Sequence, residues 1–331
     1  MRDIRYDIIR TVAIFLVVCI HSMALVDAAR DAGDITARIV SAMMNIIYCG
    51  VPLFVMLSGA LLLGKDEPMK VFFKKRLSRV LIPFLVWSVI VGAILFFQDD
   101  GRSISGFMLY ELKGITTTGV HGIYWYVYMI IGLYCLTPVL RYILHSNGRS
   151  GGGILLYLCV LCLIVAVLGN ALPEFQLLSH WVSKNLTMLF YFMAGWLISN
   201  AINTKYKEFD YKRFWGILLA VVYVISIVAS YCKVEVPGLS ILLSVSLFGF
   251  LMTIPMTVGN SKVCKVVYSV SKYSYGIYLS HFMLISAMVK MSVFSRIPIW
   301  IEPLMMASIV LTVDACFMYI MDKMKLGKYV F

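Results

Sequence analysis

Apolar runs of about membrane-spanning length follow one another through the chain, broken only by short polar stretches. A helix needs about 20 such residues to cross the hydrocarbon of a bilayer. Ten spans can be placed, roughly 8–27, 39–63, 80–97, 123–143, 152–169, 185–202, 214–231, 238–258, 274–291 and 299–320. The composition agrees, with 61% of 331 residues hydrophobic and only 14% charged, and a mean hydropathy of +0.88. That is too apolar for a water-soluble fold. The expected fold class is an all-α polytopic membrane protein of about ten transmembrane helices.

A net charge of +12 would raise nucleic-acid binding in a soluble protein, but here the positive residues sit between apolar runs. Cytoplasmic loops carry the excess of Lys and Arg in membrane proteins. With a cytoplasmic N-terminus, the termini and even-numbered connections hold three of them in 2–10, six in 65–79, two in 141–149, four in 205–213, three in 262–272 and three in 323–328. Together these are 21 of the 29 Lys and Arg, so both termini are expected in the cytoplasm, with lipids as neighbours and no nucleic acid. Three early arginines before an apolar run also describe a signal peptide, yet Asp7 and His21 sit badly in one and favour a retained helix. No connection is long enough for a second folded domain, the longest being 98–122, and no internal repeat of the transporter kind is visible. Residues 1–331 read as one domain, with Gly151 to Gly153 as a flexible hinge before the fifth span.

Eight cysteines fall mostly inside the apolar runs and show no paired pattern in a polar loop. Cys159 and Cys162 have C-x-x-C spacing, but "YLCVLCLIV" is uninterrupted membrane-helix sequence, where such small side chains pack. Neither a disulfide framework nor a metal site is suggested.

The first span, "RYDIIRTVAIFLVVCIHS", carries Asp7, Arg10 and, deep inside, His21. An ionisable residue at that depth is costly and marks a functional site by default. Arg10 and His21 are 11 residues apart, about three turns plus 20° and about 16 Å of rise, so they share a face. Asp7 lies one turn before Arg10, where opposite charges pair. Packing through one hydrogen bond is the bland account of His21, but its stripe and the near-neutral pKa of imidazole favour a general base or proton relay.

Further polar groups punctuate other spans. In "VPLFVMLSGALLLG", Ser58 and Gly59 are small residues that suit close helix packing. In "KVFFKKRLSRVLIPFLVW", Lys70, Lys74, Lys75, Arg76 and Arg79 form a basic cluster before Pro83. It anchors to anionic lipid on the plain account and binds a phosphate-rich ligand on the sharper one, since Arg76 and Arg79 share a face and guanidinium forks suit phosphate. "HGIYWYVYMIIGLY" crowds His121, Tyr124, Trp125, Tyr126 and Tyr128 at an outer helix end, an interfacial belt that could also stack a sugar-like substrate. "YSYGIYLSHF" sets Tyr275, Tyr278, Ser280 and His281 in the ninth span, with Tyr278 and His281 able to face one cavity. Asp314 is a buried charge whose partner the sequence does not show.

In order and spacing, the blocks "DIIRTVAIFLVVCIH", "PLFVMLSGALLL", "KKRLSRVLIPFLVW", "YWYVYMIIGLYCLTPVLR", "YFMAGWLIS" and "YSYGIYLSHF" resemble the acyltransferase-3 family of membrane-bound O-acyltransferases. The fourth is most similar to a branch holding polysaccharide O-acetyltransferases and the membrane domains of vancomycin-resistance serine racemases. The resemblance implies a multi-pass protein of the bacterial cytoplasmic membrane. It would carry acetyl groups from cytoplasmic acetyl-CoA, without a metal, to a hydroxyl of a cell-surface glycan or related acceptor. His21 would be the catalytic histidine with Arg10 and Asp7, while Lys74, Lys75, Arg76, Arg79 and Ser58 would hold the donor. Tyr124, Trp125, Tyr278 and His281 are the acceptor-binding candidates, and a homo-oligomer is left open. The racemase likeness also admits another class of function, a transporter of a small polar solute such as L-serine. The missing repeat and the phosphate-suited cluster count against it.

Overall fold

In the computed structural model, residues 3–27, 34–98, 104–117, 122–146, 150–171, 180–204, 209–255, 262–291, 294 and 297–331 are described. They form thirteen α-helices and a 3-10 turn at Gly122–Tyr124, with no strand among them. The helices are α1 (Ile4–Asp27), α2 (Asp34–Ile47), α3 (Gly50–Leu62), α4 (Met69–Gln98), α5 (Ile104–Thr117), α6 (Trp125–Ser146) and α7 (Gly151–Ala171). They continue as α8 (His180–Thr204), α9 (Tyr211–Cys232), α10 (Leu239–Met252), α11 (Lys262–Lys290), α12 (Glu302–Lys323) and α13 (Gly327–Val330).

Eight membrane-length apolar spans stand out, one of them running through both α2 and α3. The other two of the ten expected spans coincide with α10, which is short at 14 residues, and α11, which is long at 29 residues but more polar. The protein is an all-α polytopic membrane protein. Hydrogen bonds tie several helix ends together. At one end of the bundle Arg5 bonds the Met252 carbonyl (3.0 Å) and Asn203 (2.8 Å), joining the start of α1 to the ends of α10 and α8. Arg141 joins the end of α6 to the Leu62 carbonyl that closes α3. Lys272 of α11 pairs with Asp322 near the end of α12. At the opposite end Asn45 of α2 reaches Ser230 of α9 at 2.8 Å.

Several boundaries differ from the sequence expectation for identifiable reasons. The second span breaks at Tyr48 and Cys49 because Pro52 has no N–H to donate to the Tyr48 carbonyl. The third helix begins eleven residues early, at Met69, so the basic cluster lies on the first turns of α4 instead of a loop. Gly151 to Gly153 are not a hinge but the first turn of α7. The 98–122 connection contains α5, whose exposed Met108, Leu109 and Leu112 suit an apolar surrounding.

The core centres on α1, where Ile9, Ala13, Ile14, Val18 and Cys19 are fully buried. Beside it, α3 and α8 cross at backbone contact. A Cβ on Gly59 would lie 1.7 Å from the Phe192 carbonyl oxygen, and one on Gly195 would lie 1.9 Å from that of Met56. Only glycine permits such an approach, as in the small-residue seams of membrane helix pairs. The seam fixes the α3 wall of the cavity described next.

Candidate active site

A cavity of about 780 Å³ opens between α1, α3, α4, α6 and α11, a size usual for small-molecule sites. From α1, Arg10, Val17 and His21 line it, the stripe that helical spacing predicts. At the His21 end the imidazole lies with its ring centroid 5.1 Å from that of His281, and Phe282 meets it edge-on at 6.4 Å. His281 is fully buried and does not line the cavity. Its Nδ1 is 2.7 Å from the Tyr278 carbonyl oxygen and 3.2 Å from that of Ile277. A carbonyl oxygen can only accept, so Nδ1 carries a proton, and the neutral form of His281 has its acceptor lone pair on Nε2.

Tyrosines extend the wall from this pair. Tyr278 stacks at 29° on His281 and at 23° on Tyr275, whose hydroxyl donates to the Val80 carbonyl at 2.8 Å. Tyr126 and Trp125 of α6 complete that side, with the Lys184 ammonium 4.5 Å over the Trp125 ring. Tyr124 does not reach the cavity. It is fully buried behind Tyr278, and its hydroxyl donates to the Leu279 carbonyl at 2.9 Å. The 3-10 turn that precedes α6 rotates it away from its neighbour Trp125. His121 lies outside the described residues.

Nearer the start of α1, Ser271 of α11 ties the charged pair together. It donates to Asp7 at 2.6 Å and accepts from Arg10 at 3.0 Å, while Arg10 and Asp7 are 3.6 Å apart. Asp7 is buried behind the wall and Arg10 faces the cavity. Ser58 also faces it, its hydroxyl donating to the Phe54 carbonyl of its own helix.

Among the described residues lining the cavity, six are Lys or Arg and none is Asp or Glu: Arg10, Lys65, Arg76, Arg79, Lys272 and Lys328. Acids stand behind them. Glu67 is 3.2 Å from Arg141 and 3.6 Å from Arg76. Although burial opposes ionisation, the Arg141 hydrogen bond and the Arg76 charge hold the Glu67 carboxyl below the usual carboxylate range. Burial, and then the adjacent Arg76 charge, lower Lys65. Lys74 and Lys75 share α4 with Arg76 and Arg79 but are exposed and do not line the cavity: they precede Arg76, the first residue of that helix on the wall.

A family of sequences described as an acyltransferase domain, the acyltransferase-3 type, matches residues 3–319. The chain belongs to the acyltransferase-3 family. No curated protein and no solved structure matches it. The match spans nearly the whole bundle and includes every residue lining the cavity except Lys328 and Phe331.

Several contacts at the cavity wall and behind it were not legible in the sequence. Ser271 and Tyr134 are ordinary members of helical sequence until α11 and α6 bring them to the wall. Arg141 counts only toward topology in the sequence, yet its guanidinium makes two bonds to the Leu62 carbonyl and lies 4.6 Å over the Phe72 ring. Asp314 is buried against Ser280, a pairing between α12 and α11 that no spacing within one helix could reveal.

Proposed function

We propose that this protein is an integral membrane O-acetyltransferase of the bacterial inner membrane. It moves the acetyl group of acetyl-CoA to a hydroxyl of a cell-surface glycan or related acceptor. The observation that carries this reading is the continuity of one cavity from six cationic side chains to His21. The cation-rich end lies at the bundle end whose loops hold most of the Lys and Arg, which favours the cytoplasm, where acetyl-CoA is found. Arg76, Arg79, Lys65 and Arg10 would hold the donor's phosphates, and Ser58 would border the passage for its thioester arm. Arg forks give bidentate contacts to phosphate, and none of the described residues on the wall is an acid that would oppose them.

At the inner end His21 takes the proton of the acceptor hydroxyl as its oxygen attacks the thioester carbonyl. The tetrahedral oxyanion collapses, the C–S bond breaks, and the His21 imidazolium returns the proton to the leaving thiolate. Trp125 and Tyr278 would present ring faces to the acceptor, and Tyr126 a hydroxyl. His281, with its acceptor nitrogen fixed on Nε2, would favour an N–H of His21 directed at it and leave the other His21 nitrogen bare for the acceptor. Tyr124, lacking access to the cavity, would support Tyr278 and not the acceptor itself.

The test uses purified protein in nanodiscs with acetyl-labelled acetyl-CoA and a panel of hydroxylated acceptors. Saturable donor binding and label transfer that His21→Ala abolishes is the expected result. Absence of donor binding, hydrolysis and transfer, with solute uptake into liposomes proceeding without acetyl-CoA, would replace this reading with a transporter.

A further inference from the structure

Residues 324–331 lie beyond the stretch matched by the family, yet they take part in the cavity wall. After α12 the chain reverses at Lys325, whose φ of 62° is left-handed. The Lys325 and Leu326 amides close the turn on the Asp322 and Met321 carbonyls at 3.0 and 2.9 Å. The chain then folds back between α4 and α11. The Trp87 indole donates to the Val330 carbonyl at 3.2 Å, and the Val330 side chain is buried. A Cβ on Gly276 of α11 would lie 2.8 Å from that same carbonyl, so glycine there is what lets the segment seat. The Phe331 ring packs edge-on against Tyr273 at 4.8 Å, and the Lys272 ammonium lies 5.8 Å from its centroid. This seating places Lys328 and Phe331 on the wall that Arg79 and Lys272 also line.

We propose that this C-terminal segment completes a nucleotide subsite, with the Lys328 ammonium on a phosphate oxygen and the Phe331 ring against the heteroaromatic base. An ammonium is a compact point charge that suits phosphate, and an aromatic face stacks any base without reading its identity. A cation and an exposed ring side, brought together beside further cations, match a ligand that carries both phosphate and base. The inference rests on the acetyl-CoA reading above and assigns the adenine-nucleotide portion of that donor to the tail, leaving the thioester arm to the inner wall.

The experiment compares wild type with Lys328→Gln and Phe331→Leu in nanodiscs, using two donors, acetyl-CoA and acetyl-pantetheine, the second of which lacks the nucleotide. Leucine preserves apolar contact with Tyr273, and thermal unfolding of each variant checks the fold. The expected result is a KM for acetyl-CoA raised about tenfold in each variant with kcat little changed, and the same kcat/KM as wild type with acetyl-pantetheine. Unchanged KM for acetyl-CoA in both variants overturns the inference while leaving the donor reading intact. So does an equal loss with both donors, which marks a merely structural tail. Failure of wild type itself to bind CoA removes the donor reading, and the nucleotide subsite with it.

Discussion

At its inner end the cavity is backed by rings several of whose polar atoms are tied to backbone carbonyls, whereas at its basic end the walls are cations whose acids stand one layer back. His281 is fixed by the Tyr278 carbonyl, Tyr275 by that of Val80 and, behind them, Tyr124 by that of Leu279. Arg10, Arg76 and Lys272 are instead held by Asp7, Glu67 and Asp322. A backbone carbonyl cannot titrate and does not move with salt, so these anchors hold the rings around His21 in one geometry. Ion pairs near the water respond to both, so the basic end adapts to an anionic ligand and to its medium. The division suits a site in which proton transfer must be exact in position and donor capture must be reversible.

The largest effect should come from the inner end. His21→Ala should lower kcat by about 10²–10⁴-fold, the range for losing a general base, with the KM for donor changed far less. Steady-state transfer of labelled acetyl groups measures this, and a large rise in donor KM with intact kcat would erase the distinction between the two ends. Next in size, Arg76→Ala should raise donor KM about tenfold or more while kcat holds, because a charged hydrogen bond to phosphate is lost at the capture step. Isothermal titration with CoA reads the same change without turnover.

Raising ionic strength should weaken CoA binding several-fold, since exposed cations such as Arg79 and Lys328 are screened over about 10 Å at 0.1 M salt. The rate at saturating donor should stay level. A kcat that falls in parallel with affinity would show that the inner end is as salt-sensitive as the basic one.

The smallest effect concerns Glu67. Its carboxyl is lowered in the folded protein, so its contribution to stability is complete above the ordinary carboxylate range and is lost as pH falls through the lowered value. Glu67→Gln should therefore cost about 1 kcal/mol near neutrality and flatten part of the acid limb of stability. Thermal unfolding in detergent through the acidic range checks it. Identical acid limbs for the variant and wild type would remove Glu67 as the group that orders the basic end.

The stripe on α1 was legible because both its periodicity and its cost can be read from one helix. Arg10 and His21 line one cavity as their 11-residue separation requires. Arg76 and Arg79 were legible for the same reason. Lys74 and Lys75 were grouped with them by composition, and only the tertiary structure shows that the wall of the cavity begins at Arg76. Tyr124 and Trp125 are sequence neighbours that the turn before α6 sends to different places, one buried behind Tyr278 and one on the wall. Ser271 and Arg141 carried no local signal, since neither is unusual in its own segment and each acts on a different helix.

The sequence by itself determined the class of the molecule, because apolar length and the need to satisfy backbone polar groups in lipid leave little choice but helices. The placement of Lys and Arg predicts an even number of crossings, and the cost of burying an imidazole points to a base on α1. The tertiary structure decided which polar groups share one space. His281 meets His21 across α1 and α11, Ser271 bridges Asp7 and Arg10, and residues beyond α12 return to the wall. Such meetings depend on how far each helix rotates and how closely glycine seams such as that of Gly59 and Gly195 let neighbours approach. Those quantities are set by packing among many helices at once, and no periodicity within a single helix contains them.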